Sequence, residues 1–255
     1  MLSRDWLKAF LPVGVMRQVT GDARVGWQPV GAGTIVEGDG VLWFVTAAHV
    51  IRQHPGPFVL LVPARAGTPG PIPLNLTATQ AQTGTAWVFA EQHDLAATLM
   101  PLAPTFDVRA VARELFLGID GAVPSMPCFT VGCPHGVLVP GRSAPLVQDG
   151  VVSGVGDGDL IYTTAPPFPG NSGGPLLVVR VPYTTGGAIT VGGSTVFFAG
   201  VMSQYALFRA EGAEHAPLLP ALHLGVAVSA DAVAALLDSP ECKAQEDLAK
   251  RNASA

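Results

Sequence analysis

The sequence predicts an all-β fold, two β subdomains in series closed by a C-terminal helix. Three observations predict it. The 255 residues include 30 Gly and 23 Pro, enough punctuation for many tight turns between short elements. Runs rich in β-branched and aromatic residues recur about every ten residues, the rhythm of a sandwich or barrel. Pro101, Pro104, Pro124 and Pro127 break that rhythm, and residues 101–127 therefore read as a passage between two halves. The composition, 49% apolar and 13% charged, excludes disorder, which needs low hydrophobicity and high charge. A chain of this kind buries a large core.

The elements follow in order. Residues 33–36 and 41–46 form a hairpin across Glu37-Gly38-Asp39-Gly40, because Asp-Gly supplies the positive φ angles of a tight connection. Residues 58–62, 86–90 and 95–99 continue the first half. Residues 108–117 read either as a short helix or as an extended connection. The second half holds strand-like runs at 128–132, 137–139, 150–155, 160–164, 175–181, 195–203 and 224–228. Ser229 then caps a helix reaching about residue 238, in which Val233, Leu236 and Leu237 share one face that should dock on the body. Ser239-Pro240 opens a charged tail, 239–255, expected to fray.

Several function classes are excluded by the same arithmetic. No apolar run approaches the roughly 18 residues that a membrane-spanning helix needs. Residues 1–15 carry Arg4, Asp5 and Lys8 and lack the uninterrupted apolar centre of a secretory signal, so a cytoplasmic protein is expected. Nineteen acidic residues outnumber fourteen Lys and Arg, which form no stripe, so nucleic acid is not an expected partner. Cys128, Cys133 and Cys242 are odd in number and lack the paired spacing of a zinc site or disulfide framework. They are expected to be reduced, buried thiols, with no metal.

The chemistry concentrates in three blocks. Gly170-Asn171-Ser172-Gly173-Gly174-Pro175 places a serine between glycines, where a sharp turn can expose its Oγ and aim successive backbone N–H groups at one spot. A serine hydroxyl is a poor nucleophile at neutral pH and requires a base and a group to orient that base. His49, at the end of the hairpin's second strand, is the candidate base. Asp94, ahead of the apolar Leu95-Ala96-Ala97, is the candidate orienter, and only one of His93 and Asp94 can face the site. Asp107 and Asp120 read as solvated turn residues and His135 as exposed.

Thr46-Ala47-Ala48-His49, His93-Asp94-Leu95-Ala96 and the Gly170 to Pro175 block resemble the three motif blocks of trypsin-like serine peptidases, closest to their HtrA-like bacterial branch. Gly132-Cys133-Pro134-His135-Gly136, Gly150-Val151-Val152-Ser153-Gly154 and Leu224-Gly225-Val226-Ala227-Val228 resemble further blocks of that branch. The likeness runs over roughly residues 12–238. It departs at Thr164, where the branch has Asp eight residues before the nucleophile, and no PDZ-length stretch follows the body.

The resemblance implies two six-stranded antiparallel β-barrels of the chymotrypsin type with a C-terminal helix, the first barrel over about 12–104 and the second over about 127–228. It also implies a serine endopeptidase with His49, Asp94 and Ser172 as the triad and no cofactor. The backbone N–H groups of Gly170, Asn171 and Ser172 would bind the oxyanion. Substrate would pair with Met202, Ser203, Gln204 and Tyr205, in a pocket also walled by Pro166, Phe168 and Gly225. Pro166 stands where selectivity for Arg or Lys would need an acid, so a small to medium apolar residue before the cut bond is expected. Without a sensing domain, such an enzyme needs restraint from narrow specificity, a partner protein or a trigger. The rival reading is a latent or idle peptidase-fold domain that binds peptides or partner proteins.

Overall fold

The computed structural model describes residues 4–18, 25–68, 70–139, 144–180, 194–208 and 219–254. A single turn of helix, α1 (Arg4–Leu7), leads into β1 (Phe10–Gln18), β2 (Val25–Glu37) and β3 (Leu42–Thr46). After the short helix α2 (Ala48–Arg52) come β4 (Phe58–Val62), β5 (Ile72–Asn75), helix α3 (Leu76–Thr83), β6 (Val88–Phe89) and β7 (Ala96–Met100). These strands hydrogen-bond in the order β5-β4-β1-β2-β3-β7-β6. The all-β, two-lobed expectation holds, but where a six-stranded barrel was expected in this lobe the described residues form a seven-stranded antiparallel sheet with β5 and β6 at its two ends. The two-residue β6 adds an edge to β7 through Val88–Ala97 and Phe89–Ala96.

The second lobe comprises β8 (Pro127–Gly132), β9 (Leu146–Gly156), β10 (Leu160–Thr163), β11 (Pro175–Arg180), β12 (Thr195–Phe208) and β13 (Leu219–Ser229). They close into a barrel in the order β10-β13-β12-β11-β8-β9, the closing seam being β9 with β10. Residues 137–139, expected as a strand, contribute only a bridge from Val139 to Ala144. The passage between the lobes takes the extended alternative. Val111 bridges Val36, Phe116 bridges Phe198, and one 3-10 turn, Arg113–Leu115, lies between.

Strand alternation sorts the apolar side chains into three cores. On β3, Phe44 faces the N-terminal interior with Leu11, Ile35 and Leu60, while Trp43 and Val45 face the other lobe. On β11, Leu176 and Val178 fill the C-terminal barrel with Ile161 and Ala227, while Leu177 and Val179 belong to the same cluster as Trp43 and Val45. This shared core also takes Phe198, Val201, Val233 and Leu237. Each fully buried side chain of this size contributes roughly 1.5–3 kcal/mol, so the lobes are locked together and the cleft between them is a fixed feature.

The C-terminus departs from the frayed tail expected. Helix α4 (Ala230–Leu237) is capped by Ser229 and followed by α5 (Pro240–Ser254), a continuous helix that docks on the N-terminal lobe. Its anchor is Glu246, 1% exposed, whose carboxylate accepts from Trp43 Nε1–H at 3.0 Å and from Lys243 Nζ at 3.1 Å. Lys250 reaches Asp39 at 2.6 Å in the hairpin turn between β2 and β3. Glu246→Ala would strand the buried indole N–H. The expected result is a loss of about 1–3 kcal/mol, read as a lower denaturant midpoint with little change in slope.

All three cysteines are free and buried. Burial pushes the Cys133 thiol up to about 12, and Cys128 and Cys242 each up to about 11. The native protein is therefore expected to resist a thiol-reactive chromogenic disulfide at pH 8 and to titrate three thiols only after denaturation. Among the described residues no helix is long and apolar enough to cross a membrane.

Candidate active site

Antiparallel pairing of β3 with β7 sets Thr46 opposite Ala96. His49 lies just beyond the end of β3 and Asp94 just before the start of β7, so the register delivers both to the same end of adjacent strands. His49 sits in the first turn of α2 and is gripped twice. Its main-chain N–H donates to Asp94 Oδ1 at 2.8 Å, and its ring Nδ1 lies 2.6 Å from Asp94 Oδ2. A carboxylate at that distance places the ring proton on Nδ1 and leaves Nε2 as an acceptor. Against the expectation that only one of the two would face the site, His93 lines the same cleft as Asp94, its Nε2 3.5 Å from Asp159 Oδ2.

A second donor completes the Asp94 environment. Ser203 Oγ–H donates to Asp94 Oδ2 at 2.6 Å. Burial pushes the Asp94 carboxyl up, but the hydrogen bonds from His49 and Ser203 outweigh it and hold the group below the usual carboxylate range. Asp94 is therefore an anion held by three donors. Ser203 is available for this role because β12 bulges there: Met202 pairs with Ala227 and Gln204 with Val226, leaving Ser203 out of register.

Ser172 comes from the opposite lobe, on the turn before β11. Gly170 and Gly173 have φ of +97° and +84°, which a side chain would strain. At Gly173 a side chain would also collide with the Thr46 hydroxyl and the Ala32 carbonyl, so the turn is pressed against the N-terminal lobe. Ala32 N–H donates to the Ser172 carbonyl at 2.9 Å, and Gly173 N–H to the Met202 carbonyl at 2.7 Å. These bonds leave the serine hydroxyl facing the cleft that His49, Asp94 and Ser203 also line. Ser172 Oγ–H donates to the Ser203 carbonyl at 3.3 Å, long for a hydroxyl bond and easily exchanged by rotation about one side-chain bond.

Among the described residues, the backbone N–H groups of Gly170 and Ser172 have no acceptor, whereas Asn171 N–H donates to the Phe168 carbonyl at 2.9 Å. The expectation for Asn171 is corrected accordingly: its main-chain donor is engaged. Its side chain, 1% exposed, donates through Nδ2 to Gln148 Oε1 at 2.6 Å and to the Pro166 carbonyl at 2.8 Å, bracing the turn from within. Thr164 Oγ1 accepts from Val151 N–H at 2.9 Å, tying the start of the same loop to β9. His135 is exposed as expected and lies against Phe168, ring centroids 5.3 Å apart.

The expected pocket residues separate on inspection. Phe168, Met202, Ser203 and Gln204 line a cavity beside Ser172 of only about 20 Å³, together with Pro167. Pro166 is not among its walls; its carbonyl serves Asn171. Gly225 lies behind Met202, whose Cε would be 2.9 Å from any Cβ at 225, so the methionine occupies the space under the pocket. The Tyr205 side chain lies outside the described residues. Of the Pro166-Pro167-Phe168 stretch expected to wall the pocket, Pro167 and Phe168 do so; the bond from Ser203 to Asp94, which joins residues 109 apart, leaves no local signal in the sequence.

A family model for the trypsin-like peptidase domain matches residues 31–180. Solved structures of an HtrA-type protease, AlgW, with a tripeptide are similar in fold. One, of a variant of AlgW, has a TM-score of 0.54 and 18% identity, covering 91% of this chain and 59% of that one. Another has a TM-score of 0.51 and 19% identity, covering 89% and 58%. The chain thus spans about three fifths of the length of those structures. No curated protein sequence matches it.

Proposed function

We propose that this chain, which belongs to the trypsin-like peptidase domain family, is a serine endopeptidase acting through an acyl-enzyme. The observation that carries the proposal is the convergence of a doubly held His49–Asp94 pair and Ser172 on one cleft; the N–H groups of Gly170 and Ser172, without an acceptor among the described residues, support it. The Ser172 hydroxyl rotates from the Ser203 carbonyl to His49 Nε2, which takes its proton as Oγ attacks the scissile carbonyl. The oxyanion that forms is met by the N–H groups of Gly170 and Ser172. Each such donor is worth about 3–4 kcal/mol of transition-state stabilisation. His49, now cationic against Asp94, protonates the leaving amine, and water then releases the acyl group by the same steps in reverse.

The substrate reading follows from pairing and volume. An extended peptide adds as a strand beside Ser203 and Gln204, and the freed Ser203 carbonyl accepts its N–H. A cavity of about 20 Å³ is near the size of a single water site, so of the small to medium apolar range the small end is favoured: Gly or Ala before the cut bond. The test is digestion of an unfolded protein followed by mass spectrometry of the new C-termini. Termini dominated by small residues support the proposal. An absence of new termini, or termini dominated by Lys, Arg or aromatic residues, contradicts it.

A further inference from the structure

Beside the small pocket the cleft opens to about 660 Å³, a volume that the residue before the cut bond does not use. Its floor includes Leu160 and Val228, and its rim carries the exposed side chains of Gln53, Gln92, Gln204 and Asp157. The amides both donate and accept, and of the two carboxylates that line the cleft among the described residues, Asp94 is taken up by His49 and Ser203 while Asp157 lies in the turn between β9 and β10. Asp157 has no ion-pair partner among the described residues, whereas neighbouring Asp159 faces His93 at 3.5 Å. No Lys or Arg lines this cleft among the described residues.

An apolar floor beneath an acidic, amide-lined rim suits one kind of side chain, a long aliphatic stem ending in a cation. An extended peptide turns alternate side chains to opposite sides. If the residue just before the cut bond, counted as the first, enters the small pocket, the second and fourth residues counted back from the bond face the cleft.

We propose that this cleft selects peptides with a small residue just before the cut bond and Lys or Arg as the second or fourth residue counted back from that bond, the cation resting against Asp157. The proposal rests on the endopeptidase reading above and names the substrate class for it. Leu160 and Val228 carry the stem, and the glutamine amides supply hydrogen bonds around the head group. Selectivity thus resides upstream of the bond that is cut.

The test uses peptide substrates with Ala at the cut bond, varied at each of these two positions between Lys, norleucine and Glu. At low salt kcat/KM should favour Lys over norleucine about two- to fivefold at one or both positions, and over Glu by more. Raising the ionic strength should shrink the Lys preference. Asp157→Asn should bring the ratio of Lys to norleucine close to one, and Asp157→Lys should place Glu above Lys. A wild type indifferent to Lys or preferring Glu, or a Lys preference unchanged in Asp157→Asn, overturns the proposal. A wild type that also fails to react with a fluorophosphonate overturns the endopeptidase reading and this proposal with it, whereas a reactive wild type without the preference overturns this proposal alone.

Discussion

Ser172→Ala is expected to lower peptide hydrolysis by about 10^6-fold, the loss typical when a triad serine is removed. The hydroxyl is the only group proposed to bond covalently to the substrate, and nothing else on the turn can take its place. The fold should survive the change. Among the described residues Ser172 Oγ makes a single hydrogen bond, to the Ser203 carbonyl at 3.3 Å, so the denaturant midpoint should shift by no more than the equivalent of about 1 kcal/mol. Full activity in the variant would place the nucleophile elsewhere; a collapsed midpoint would show that the turn depends on the hydroxyl.

Asp94→Asn is expected to cost about 10^4-fold in rate while leaving substrate binding nearly intact. Asp94 accepts three hydrogen bonds: His49 N–H on Oδ1, and the His49 ring and Ser203 Oγ–H on Oδ2. An amide has one accepting oxygen and one donating nitrogen. Whichever way it turns, it must lose an acceptor, and with the nitrogen toward the ring it selects the tautomer whose Nε2 carries the proton and cannot take one from Ser172.

The same group gives a signed dependence on pH. Its folded pKa is depressed, so the stability it contributes is present above the ordinary carboxylate value of about 3.9 and is lost as pH falls through the folded pKa. The midpoint of the wild type should therefore fall below about pH 4 by more than that of Asp94→Asn. Equal acid sensitivity of the two proteins would mean that Asp94 is not held as an anion.

What was legible in the sequence was what is local. Each motif block is a short run whose conformation its own residues dictate: glycines at the Ser172 turn, an apolar run after Asp94, a strand end before His49. The register of β3 and β7 then brings His49 and Asp94 together without further information. Contacts across long sequence separations were hidden. The Ser203–Asp94 bond is one, and the docking of α5 is another, because the mean polarity of that segment conceals a single glutamate whose partner, Trp43, lies 203 residues away. Strand β1 was missed for a different reason. It contains Pro12 and Gly14, and these read as breakers. Pro12 is tolerated because β1 pairs with β4 only from Val13 to Val15, so at Pro12 the strand has a neighbour on one side alone. Helix α3 was also missed: its threonines weaken the periodic signal, while its stability comes from caps, the Asn75 side chain accepting from Ala78 N–H and Gly84 in the left-handed conformation.

The measurement that bears most directly on the central claim is peptide mapping of the protein after reaction with a fluorophosphonate, which phosphonylates an activated serine. One adduct per chain is expected, on the peptide that contains Ser172, and none on Ser172→Ala. An unmodified wild type, under conditions that label another serine hydrolase to completion, would contradict it and leave the chain a peptidase fold that binds peptides without cutting them.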